Sequence, residues 1–318
     1  MALGFETTGD EVVEAFKDRV TGKTFLITGP TPGGIGAETA LSLAKADPKR
    51  LILAGRSQQK IQPLVDQIHQ EKPHVEVSFV QLDLASLSSV RKSIDGIKSV
   101  LAGDKIDVLI LNAAIMACPY ALTVDGFESQ FGTNHLGHFL FGNLLLREDL
   151  VRSRIVVVSS SASERKADYA FAPLKDISYE HGKVYDPIQA YTFSKSCNNL
   201  YARRLARVLK PKGITVFSLN PGSIITNLQG YMTEEVRNLA IESATRENPE
   251  FEIPVRKTLQ QGASTQLCAA LDPSLEPESG AYLDHCQVKK PAVHDGHGAF
   301  VDQVWELSEQ LVGERFQL

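Results

Sequence analysis

The sequence has little cysteine, with only four residues of this type among 318. These four are far apart and form no CxxC pair: Cys118, Cys197, Cys268 and Cys286. Such spacing favours free thiols in a reducing compartment over a disulfide framework. We therefore expect a cytoplasmic protein.

The sequence also lacks a long apolar run and a large excess of either charge. Its first 16 residues, MALGFETTGDEVVEAF, alternate acidic with apolar residues, so we expect neither a secretory signal nor a membrane span. The formal charge of -5 and the scattered lysines and arginines give no reason to expect nucleic acid as a partner. His294, Asp295 and His297 have no third well-spaced metal ligand, so we interpret them as a surface loop and expect no bound metal.

Apolar runs alternate with helical patterns from residue 24 to about residue 219. The predicted strands are Thr24–Thr28, Leu51–Ala54, Val75–Val80, Val108–Leu111, Ile155–Val158 and Thr215–Leu219, with a shorter one near Ala281–Leu283. The predicted helices are Ala37–Ala46, Gln59–Gln70, Leu87–Leu101, Gly126–Leu146, Gln189–Leu209, Lys257–Leu271 and Ala299–Val312. The near-continuous Val, Ile and Leu content of the strands indicates that both sheet faces are covered. We predict an α/β fold, a doubly wound parallel sheet of Rossmann type in three α/β/α layers, with residues 1–318 in one domain.

Two long stretches interrupt this alternation. Residues 161–190 form a polar insertion between a strand and a helix, and residues 227–254 follow the last strongly predicted strand. Long irregular segments in compact domains are usually functional or mobile. We interpret residues 227–254 as a lid, with a short helix packed on the body as the equally weighted alternative.

A glycine-rich turn joins the first predicted strand to the first predicted helix of the alternating region. Glycines let the backbone approach a pyrophosphate, and a helix N-terminus offers free N–H donors with a favourable dipole. The residues that we expect to contact the cofactor here are Gly29, Thr31, Gly33, Gly34, Ile35 and Gly36. Pro30 and Pro32 carry no N–H, so the main contacts should come from the Gly33–Gly36 end.

The second strand ends in Arg56, and no acidic residue occurs between Leu51 and Lys60. An acid at this point typically binds the ribose 2′-hydroxyl of NAD, whereas an arginine accommodates the 2′-phosphate of NADP. A charge-assisted contact of about 1.5–3 kcal/mol corresponds to a roughly ten- to hundredfold preference for NADP. We predict NADP(H) as cofactor, with Ser57 and Lys60 beside Arg56. A solvated arginine at a strand end is the alternative.

Tyr191 and Lys195 are four residues apart, adjacent on one helical face. A tyrosine with a pKa of about 10 is a poor acid–base group at neutral pH, but a neighbouring ammonium and an oxidised nicotinamide both favour the phenolate. The pair follows a strand that ends in the hydroxyls of Ser159, Ser160 and Ser161. We expect the ammonium and the oxidised nicotinamide together to lower the pKa of Tyr191 by roughly 3 units, which requires about 4 kcal/mol of differential stabilisation.

Together these segments resemble the short-chain dehydrogenase/reductase family over nearly the whole chain. The resemblance includes a TGxxxGxG loop that is one residue longer here, the segment Asn112-Ala113-Ala114, an NxxG helix segment at Asn134, and the YxxxK pair. It implies that Ser160 hydrogen-bonds a substrate carbonyl, with Ser159 and Ser161 one register step away. It also implies that Asn134 holds a water that relays protons from Lys195.

The same resemblance implies further cofactor contacts at the ends of successive strands. It assigns Asp83 and Leu84 to the adenine, Asn112, Ala113 and Ala114 to the ribose, and Pro221, Gly222, Ile224 and Thr226 to the nicotinamide. Within the family, LNAAIMACPYALTVDGFESQFGTNHLGHFL and SGAYLDHCQV are most similar to retinol dehydrogenases and WW-domain oxidoreductases. The N-terminal stretch is also similar to soluble fungal natural-product reductases, which suggests secondary metabolism.

The implied activity is reversible hydride transfer between NADP(H) and a ketone or aldehyde of a lipophilic small molecule. The alternatives are an isomerase or cyclase on the same scaffold and a non-catalytic NADP-binding regulator. On the lid, Tyr231 and Met232 are the candidate substrate contacts. Family members often pair through the helices that contain Asn134 and Tyr191, so a homodimer is expected unless the 161–190 insertion covers that surface.

Overall fold

Eight strands form the central sheet in the computed structural model, which describes residues 3–289 and 297–318. They are β1 (Thr24–Thr28), β2 (Arg50–Gly55), β3 (Glu76–Gln81), β4 (Ile106–Leu111), β5 (Val151–Val158), β6 (Thr215–Asn220), β9 (Tyr282–Asp284) and β10 (Gln287–Val288). Two further strands, β7 (Ser223–Ile224) and β8 (Arg256–Lys257), pair with each other in a small separate sheet.

The strand order is β3-β2-β1-β4-β5-β6-β9-β10, and all neighbours are parallel except β9 and β10. The chain thus builds outwards from β1 in one direction to β3 and then crosses to β4 on the other side. This reversal between β1 and β4 creates a crevice at the carboxyl ends of the strands, where ligands bind in such sheets. The predicted fold class is confirmed.

Helices cover both faces of the sheet, and each face has its own hydrophobic cluster. The helices are α1 (Gly9–Ala15), α2 (Ile35–Ala44), α3 (Gln58–Glu71), α4 (Leu87–Leu101), α5 (Ser129–Phe131), α6 (Gly137–Arg147), α7 (Ala167–Ala170), α8 (Pro187–Leu209), α9 (Glu234–Glu247), α10 (Leu259–Leu271) and α11 (Val301–Val312). The core cluster of one face takes residues from α1, α2, α3 and α10, and that of the other from α4, α6, α8 and α11. These are the three layers that the continuous apolar strands predict.

Two parts of the fold differ from the sequence prediction, and in a third, residues 227–254, the helix given as one of the two alternatives is present. The helix predicted over Gly126–Leu146 begins only at Ser129, because the Glu128 carboxylate accepts from the first backbone N–H groups and ends the preceding turn. It then continues through a π-helix, Gly132–Leu136, into α6. Helix α1 was not predicted, and the 227–254 stretch contains the four-turn helix α9.

The pair α6 and α8 is enclosed by the chain itself. Every residue of α6 from Gly137 to Leu146 is buried, and α11 packs along α8. Trp305 of α11 stacks on Tyr201 of α8 and lies in the core, as its apolar helical stripe predicts. His294 and Asp295 lie outside the described residues, whereas His297 is buried and bonds the Arg165 carbonyl. In residues 3–289 and 297–318 no helix has both the length and the apolar composition needed to cross a bilayer.

Candidate active site

A cleft of about 1420 Å³ opens at the carboxyl ends of the strands, above the β1–β4 crevice. This volume exceeds the roughly 300–1,000 Å³ of a single small-molecule pocket and is enough for a dinucleotide with a second molecule. Most of the predicted site residues line it: Gly29, Thr31, Gly34, Ile35, Arg56, Ser57, Lys60, Asp83, Leu84, Asn112, Ala113, Ala114, Ser160, Tyr191, Lys195, Pro221, Gly222, Ile224, Thr226, Tyr231 and Met232. The predicted residues Gly33, Gly36 and Asn134 stand behind this surface rather than on it.

Two glycines of the first turn are required by close backbone approach. Gly29 has φ 67°, and a Cβ there would come within 2.7 Å of the Ala113 side chain. A Cβ on Gly36 would lie 2.5 Å from Asn112 Nδ2. Asn112 holds this arrangement, because its Nδ2 donates to the Thr28 carbonyl at 2.9 Å. The turn therefore lies tightly against β4 and leaves the first N–H groups of α2 directed towards the cleft.

The extra residue of the glycine-rich loop is absorbed in a local turn. Thr31 N donates to the Gly29 carbonyl at 2.9 Å, and Gly34 N donates to the Thr31 carbonyl at 3.0 Å. The Thr31 and Gly34 amides are therefore used within the loop. Donors for a phosphate remain at Ile35 and Gly36, the first residues of α2, as the two prolines of the loop predict.

The lining of the cleft is strongly cationic. Its charged residues are Arg56, Lys60, Lys195, Arg237 and Arg256 against the single carboxylate of Asp83. Arg56 is exposed at the end of β2, and Ser57 caps α3 by accepting from Lys60 N at 3.4 Å. A surface with five cations and one anion suits a ligand that carries several phosphates.

Tyr191 and Ser160 meet at the floor of the cleft. Helix α8 carries Tyr191, and β5 ends two residues before Ser160, which brings together side chains 31 positions apart in sequence. Both side chains line the cleft, and Ser160 Oγ accepts from Ala162 N at 3.1 Å. Ser159 donates to the Lys195 carbonyl at 2.8 Å, and Ser159, Ser160 and Ser161 all line the cleft, so the assignment of Ser160 to the substrate carbonyl stays a prediction from the family resemblance.

That Lys195 and an oxidised nicotinamide together lower the pKa of Tyr191 stays a prediction, and the burial of Tyr191 sets the cost that they must offset. Burial raises the pKa of Tyr191 to about 12, and the Ser160 hydrogen bond opposes this only in part. Burial also lowers the pKa of Lys195 to about 7. The Lys195 Nζ donates to the Val158 carbonyl at 2.9 Å and stays 5.9 Å from the centre of the tyrosine ring. Desolvation of both groups thus outweighs their attraction.

Asn134 occupies the π-helix, a local geometry that is frequent at functional sites. Its Nδ2 donates to the Ile115 carbonyl at 2.9 Å and to Ser194 Oγ at 3.0 Å, and its Oδ1 accepts from Ile115 N at 2.8 Å. Both amide hydrogens are therefore used. The side chain fixes the segment after β4 to α8, and any water bound by Asn134 would have to use the remaining oxygen lone pairs.

The segment after β6 closes the other side of the cleft. Thr226 caps the turn Asn227–Tyr231 by accepting from Leu228 N at 3.2 Å. Asn227 Nδ2 donates to the Pro32 carbonyl at 2.9 Å. The base of the predicted lid is therefore attached to the glycine-rich loop.

The lid itself combines the two sequence interpretations, because α9 is a helix that also contributes to the cleft. Of the apolar residues in this stretch, Leu228, Tyr231, Met232 and Ile241 line the cleft, whereas Val236 and Leu239 do not. The far end of α9 is tied to the 161–190 insertion, where Arg165 Nε donates to Glu247 Oε2 at 2.5 Å. The lid is thus fixed at both ends.

One wall of the cleft was missed from sequence. It is the segment from Met116 to Thr123, with the side chains of Cys118, Tyr120 and Leu122. Its only sequence signal is that it directly follows Asn112-Ala113-Ala114 at a strand end, where ligands bind.

The insertion holds this wall in place from behind. Tyr185 OH lies 3.2 Å from the Cys118 carbonyl and 3.0 Å from Glu128 Oε1, so its one proton is donated to one or the other of these oxygens. The Tyr120 and Tyr185 rings meet edge to face at 5.3 Å, and a Cβ on Gly182 would lie 2.5 Å from the Tyr120 ring. Burial raises the pKa of Glu128, which shows how little water reaches this contact.

Within the described part of the chain, no group of three His, Cys, Asp or Glu residues is arranged to hold a metal ion. His135 and His138 are fully buried, and burial lowers their pKa values to about 4 and about 3. Both imidazoles are therefore neutral near pH 7 and bond within the core.

Comparison with known proteins gives a consistent family. Residues 23–172 match the model of the short chain dehydrogenase family. The chain is 34% identical to a WW domain-containing oxidoreductase of Drosophila melanogaster over 92% of this chain and 69% of the relative. It is 35% identical to retinol dehydrogenase 14 of Mus musculus over 92% of this chain and 86% of the relative.

Solved structures agree in fold. An uncharacterised protein from Mycobacterium paratuberculosis superposes with a TM-score of 0.69 at 32% identity, covering 94% of this chain and 96% of that one. The NADPH-bound carbonyl reductase from chicken fatty liver superposes with a TM-score of 0.57 at 20% identity, covering 85% of this chain and 99% of that one.

Proposed function

The chain belongs to the short-chain dehydrogenase family of nicotinamide-dependent oxidoreductases, and from that premise we propose that it reduces a lipophilic ketone or aldehyde with NADPH, reversibly. The observation that carries the proposal is the meeting of Ser160, Tyr191 and Lys195 in the same cleft as the glycine-rich turn. A proton donor and a dinucleotide cradle in one cleft are the two parts that carbonyl reduction requires.

The residues of the cleft fit a nicotinamide dinucleotide. The backbone cradle of Gly29 and Gly36 has no room for a Cβ, and the first turn of α2 offers N–H donors beside it. Arg56 directly after β2 supports NADP(H) over NAD(H), since the stretch from Arg56 to Lys60 contains no acidic residue. Bound there, the reduced nicotinamide supplies the hydride.

The protein residues then act on the carbonyl oxygen. Tyr191 is fully protonated at neutral pH because burial raises its pKa to about 12, so it holds the proton that the developing alkoxide takes up. Ser160, which lines the same cleft as Tyr191, orients the same oxygen. Lys195 is buried beside Tyr191 and Ser160. In its charged form, Lys195 is the group that returns a proton to Tyr191. Asn134 holds this assembly by fixing the segment after β4 to α8.

The substrate end of the cleft supports a lipophilic and bulky molecule. On one side are Met116, Cys118, Tyr120 and Leu122, and on the other are Tyr231, Met232, Ile241, Phe251 and Ile253. Rings and thioethers of this kind bind apolar and aromatic surfaces. A role in secondary metabolism and a cytoplasmic location stay predictions from the sequence.

The experiment is a panel of ketones and aldehydes of graded size, incubated with NADPH and the full-length chain. The expected result is NADPH oxidation with a stoichiometric secondary or primary alcohol as product. A substrate converted to an isomer or a ring without net NADPH use would favour the non-redox alternative. Tight NADPH binding with no turnover on any member of the panel would favour the regulator.

A further inference from the structure

A closed ring of hydrogen bonds lies directly behind the catalytic serine, outside the cleft lining. It starts at Asn220, the last residue of β6, whose side chain is 6% exposed. Asn220 Oδ1 accepts from Ser161 N and from Gly222 N, each at 3.1 Å. One amide oxygen thus bonds the turn that follows β5 and the turn that follows β6.

The amide nitrogen continues the ring towards β9. Asn220 Nδ2 donates to Asp284 Oδ1 at 3.2 Å, and Lys289 Nζ bridges Asp284 Oδ2 at 3.2 Å and Glu164 Oε2 at 2.7 Å. Tyr282 OH lies 3.0 Å from Glu164 Oε1 and 3.2 Å from the Ser160 carbonyl, which returns the ring to its start. Burial raises the pKa of Glu164, so this part of the ring is poorly solvated.

The two turns that Asn220 joins carry different parts of the proposed reaction. The Ser160 turn holds the carbonyl oxygen, and the Pro221–Gly222 turn lies where the nicotinamide is expected. Gly222 has φ 100°, and a Cβ there would lie 2.9 Å from Lys257 Cδ, so this turn packs closely on the Lys257 side chain. The strands before the two turns are joined by the β5–β6 ladder, and beyond the last ladder bond, from Ser159 N to the Leu219 carbonyl, Asn220 Oδ1 is the atom that both turns bond.

We propose that Asn220 is a positioning residue that sets the distance between the carbonyl oxygen at Ser160 and the nicotinamide beside Gly222, with Asp284 fixing the orientation of its amide. This proposal rests on the proposed function. An amide suits the position because it accepts on one side and donates on the other. Misplacement by about 1 Å far from the reacting atoms can slow a reaction by roughly a hundredfold.

The test is a charge swap between the two positions. In Asn220→Asp the two N–H acceptors remain, but two carboxylates oppose each other at the 3.2 Å contact, so kcat should fall about ten- to hundredfold. The NADPH dissociation constant should change less than about threefold, because the Arg56 end is untouched. In Asp284→Asn, kcat should fall about three- to tenfold. The new amide has only one oxygen, so its nitrogen, a donor, must face either Asn220 Nδ2 or Lys289 Nζ, which are donors too.

The double variant Asn220→Asp/Asp284→Asn restores the ring with the donor on the opposite side. The amide nitrogen introduced at position 284 can donate to the carboxylate introduced at position 220, while the amide oxygen at position 284 accepts from Lys289. We expect kcat within about threefold of the unmodified protein, a strong positive coupling in the double-mutant cycle. Unchanged kcat in Asn220→Asp, or a double variant that is as slow as the product of the two single losses, would overturn the proposal.

Two further readouts separate positioning from folding and from the choice of reaction. Thermal unfolding of all four proteins shows whether the ring acts only on stability; recovery of Tm without recovery of kcat contradicts the proposal. Fluorescence of bound NADPH, measured without any carbonyl compound, reports the surroundings of the nicotinamide. It should change in Asn220→Asp and return in the double variant even if no carbonyl in the panel is reduced, whereas an unchanged emission counts against Asn220 itself.

Discussion

Lys195 donates its Nζ to the carbonyl oxygen of Val158 at 2.9 Å, the last residue of β5. The contact anchors the amine at the strand that also leads to Ser160. Burial disfavours the charged form of this amine and lowers the pKa of Lys195 to about 7. The protonation state of this one side chain therefore responds to whatever binds beside it.

Proton uptake on cofactor binding is the first consequence. At pH 8 the buried amine is mostly neutral, and the hydroxyls and phosphates of NADPH favour its charged form, so binding should take up close to one proton. The uptake should shrink below pH 7, where Lys195 already holds its proton. Calorimetry in two buffers of different ionisation enthalpy measures it. Lys195→Met is the control, and an equal uptake in that variant would show that another group is responsible.

Tyr191→Phe should abolish turnover, by about a thousandfold or more, while leaving NADPH binding largely intact. The substitution removes only the hydroxyl that donates the proton and keeps the ring that fills the buried site. Steady-state rates on the best carbonyl substrate, with NADPH titrated by fluorescence, give both quantities. Activity close to that of the unmodified protein would remove Tyr191 from the mechanism.

Arg56→Ala should weaken NADPH by about ten- to hundredfold and NADH hardly at all, because only NADPH carries the 2′-phosphate. Arg56→Asp should weaken NADPH more than Arg56→Ala does, so that NADH becomes the preferred cofactor. The dissociation constants of both cofactors are measured for each variant, with Arg207→Ala as the control, an exposed arginine of α8 outside the cleft. A constant ratio of the two affinities would mean that the 2′-phosphate is bound elsewhere.

The lid should determine the preference for large substrates. Tyr231→Ala/Met232→Ala removes two side chains that line the cleft, and kcat/KM for bulky carbonyls should fall about tenfold while small aldehydes are little affected. Leu239→Ala is the matched control, since Leu239 lies on α9 in the same 227–254 lid and is 56% exposed but does not line the cleft. An equal loss for small and bulky carbonyls, or no loss, would assign specificity to the Met116–Thr123 wall.

The molecule should be a monomer in solution. The homodimer expected from the sequence needs an open surface on α6 and α8, but α11 packs on α8 and both helices are buried along most of their length. Light scattering should therefore return the mass of one chain, 34.8 kDa. Twice that mass at micromolar concentration would mean that a different surface pairs the subunits.

The sequence predicted the sheet well because buried parallel strands are nearly continuous runs of Val, Ile and Leu. Strand β5 is the informative exception. It begins at Val151, four residues earlier than predicted, because Arg152 and Ser153 are exposed at its start and interrupt the apolar run. Helix α1 was missed for a similar reason, since its two buried valines are a weak signal within an acidic stretch.

The site residues likewise fall into those that a local sequence pattern predicts and those that it does not. Gly29, Arg56 and Tyr191 could be predicted because they follow strands or share a helical face at a characteristic spacing. The bond from Asn220 to Ser161 joins residues 59 positions apart, and that from Tyr185 to Cys118 joins residues 67 apart, with no local pattern to announce either. The pKa of Tyr191 also had to come from the structure, because the cost of burial depends on packing and not on the neighbouring residue four positions on.

The enclosure of α6 and α8 has a consequence for how the enzyme responds to its surroundings. A monomer would have no neighbouring subunit on this face, so no second site could transmit its state through these helices. Saturation by either ligand should then follow a simple hyperbola without cooperativity. The rate in a cell would be governed by the ratio of reduced to oxidised cofactor and by the supply of carbonyl compound.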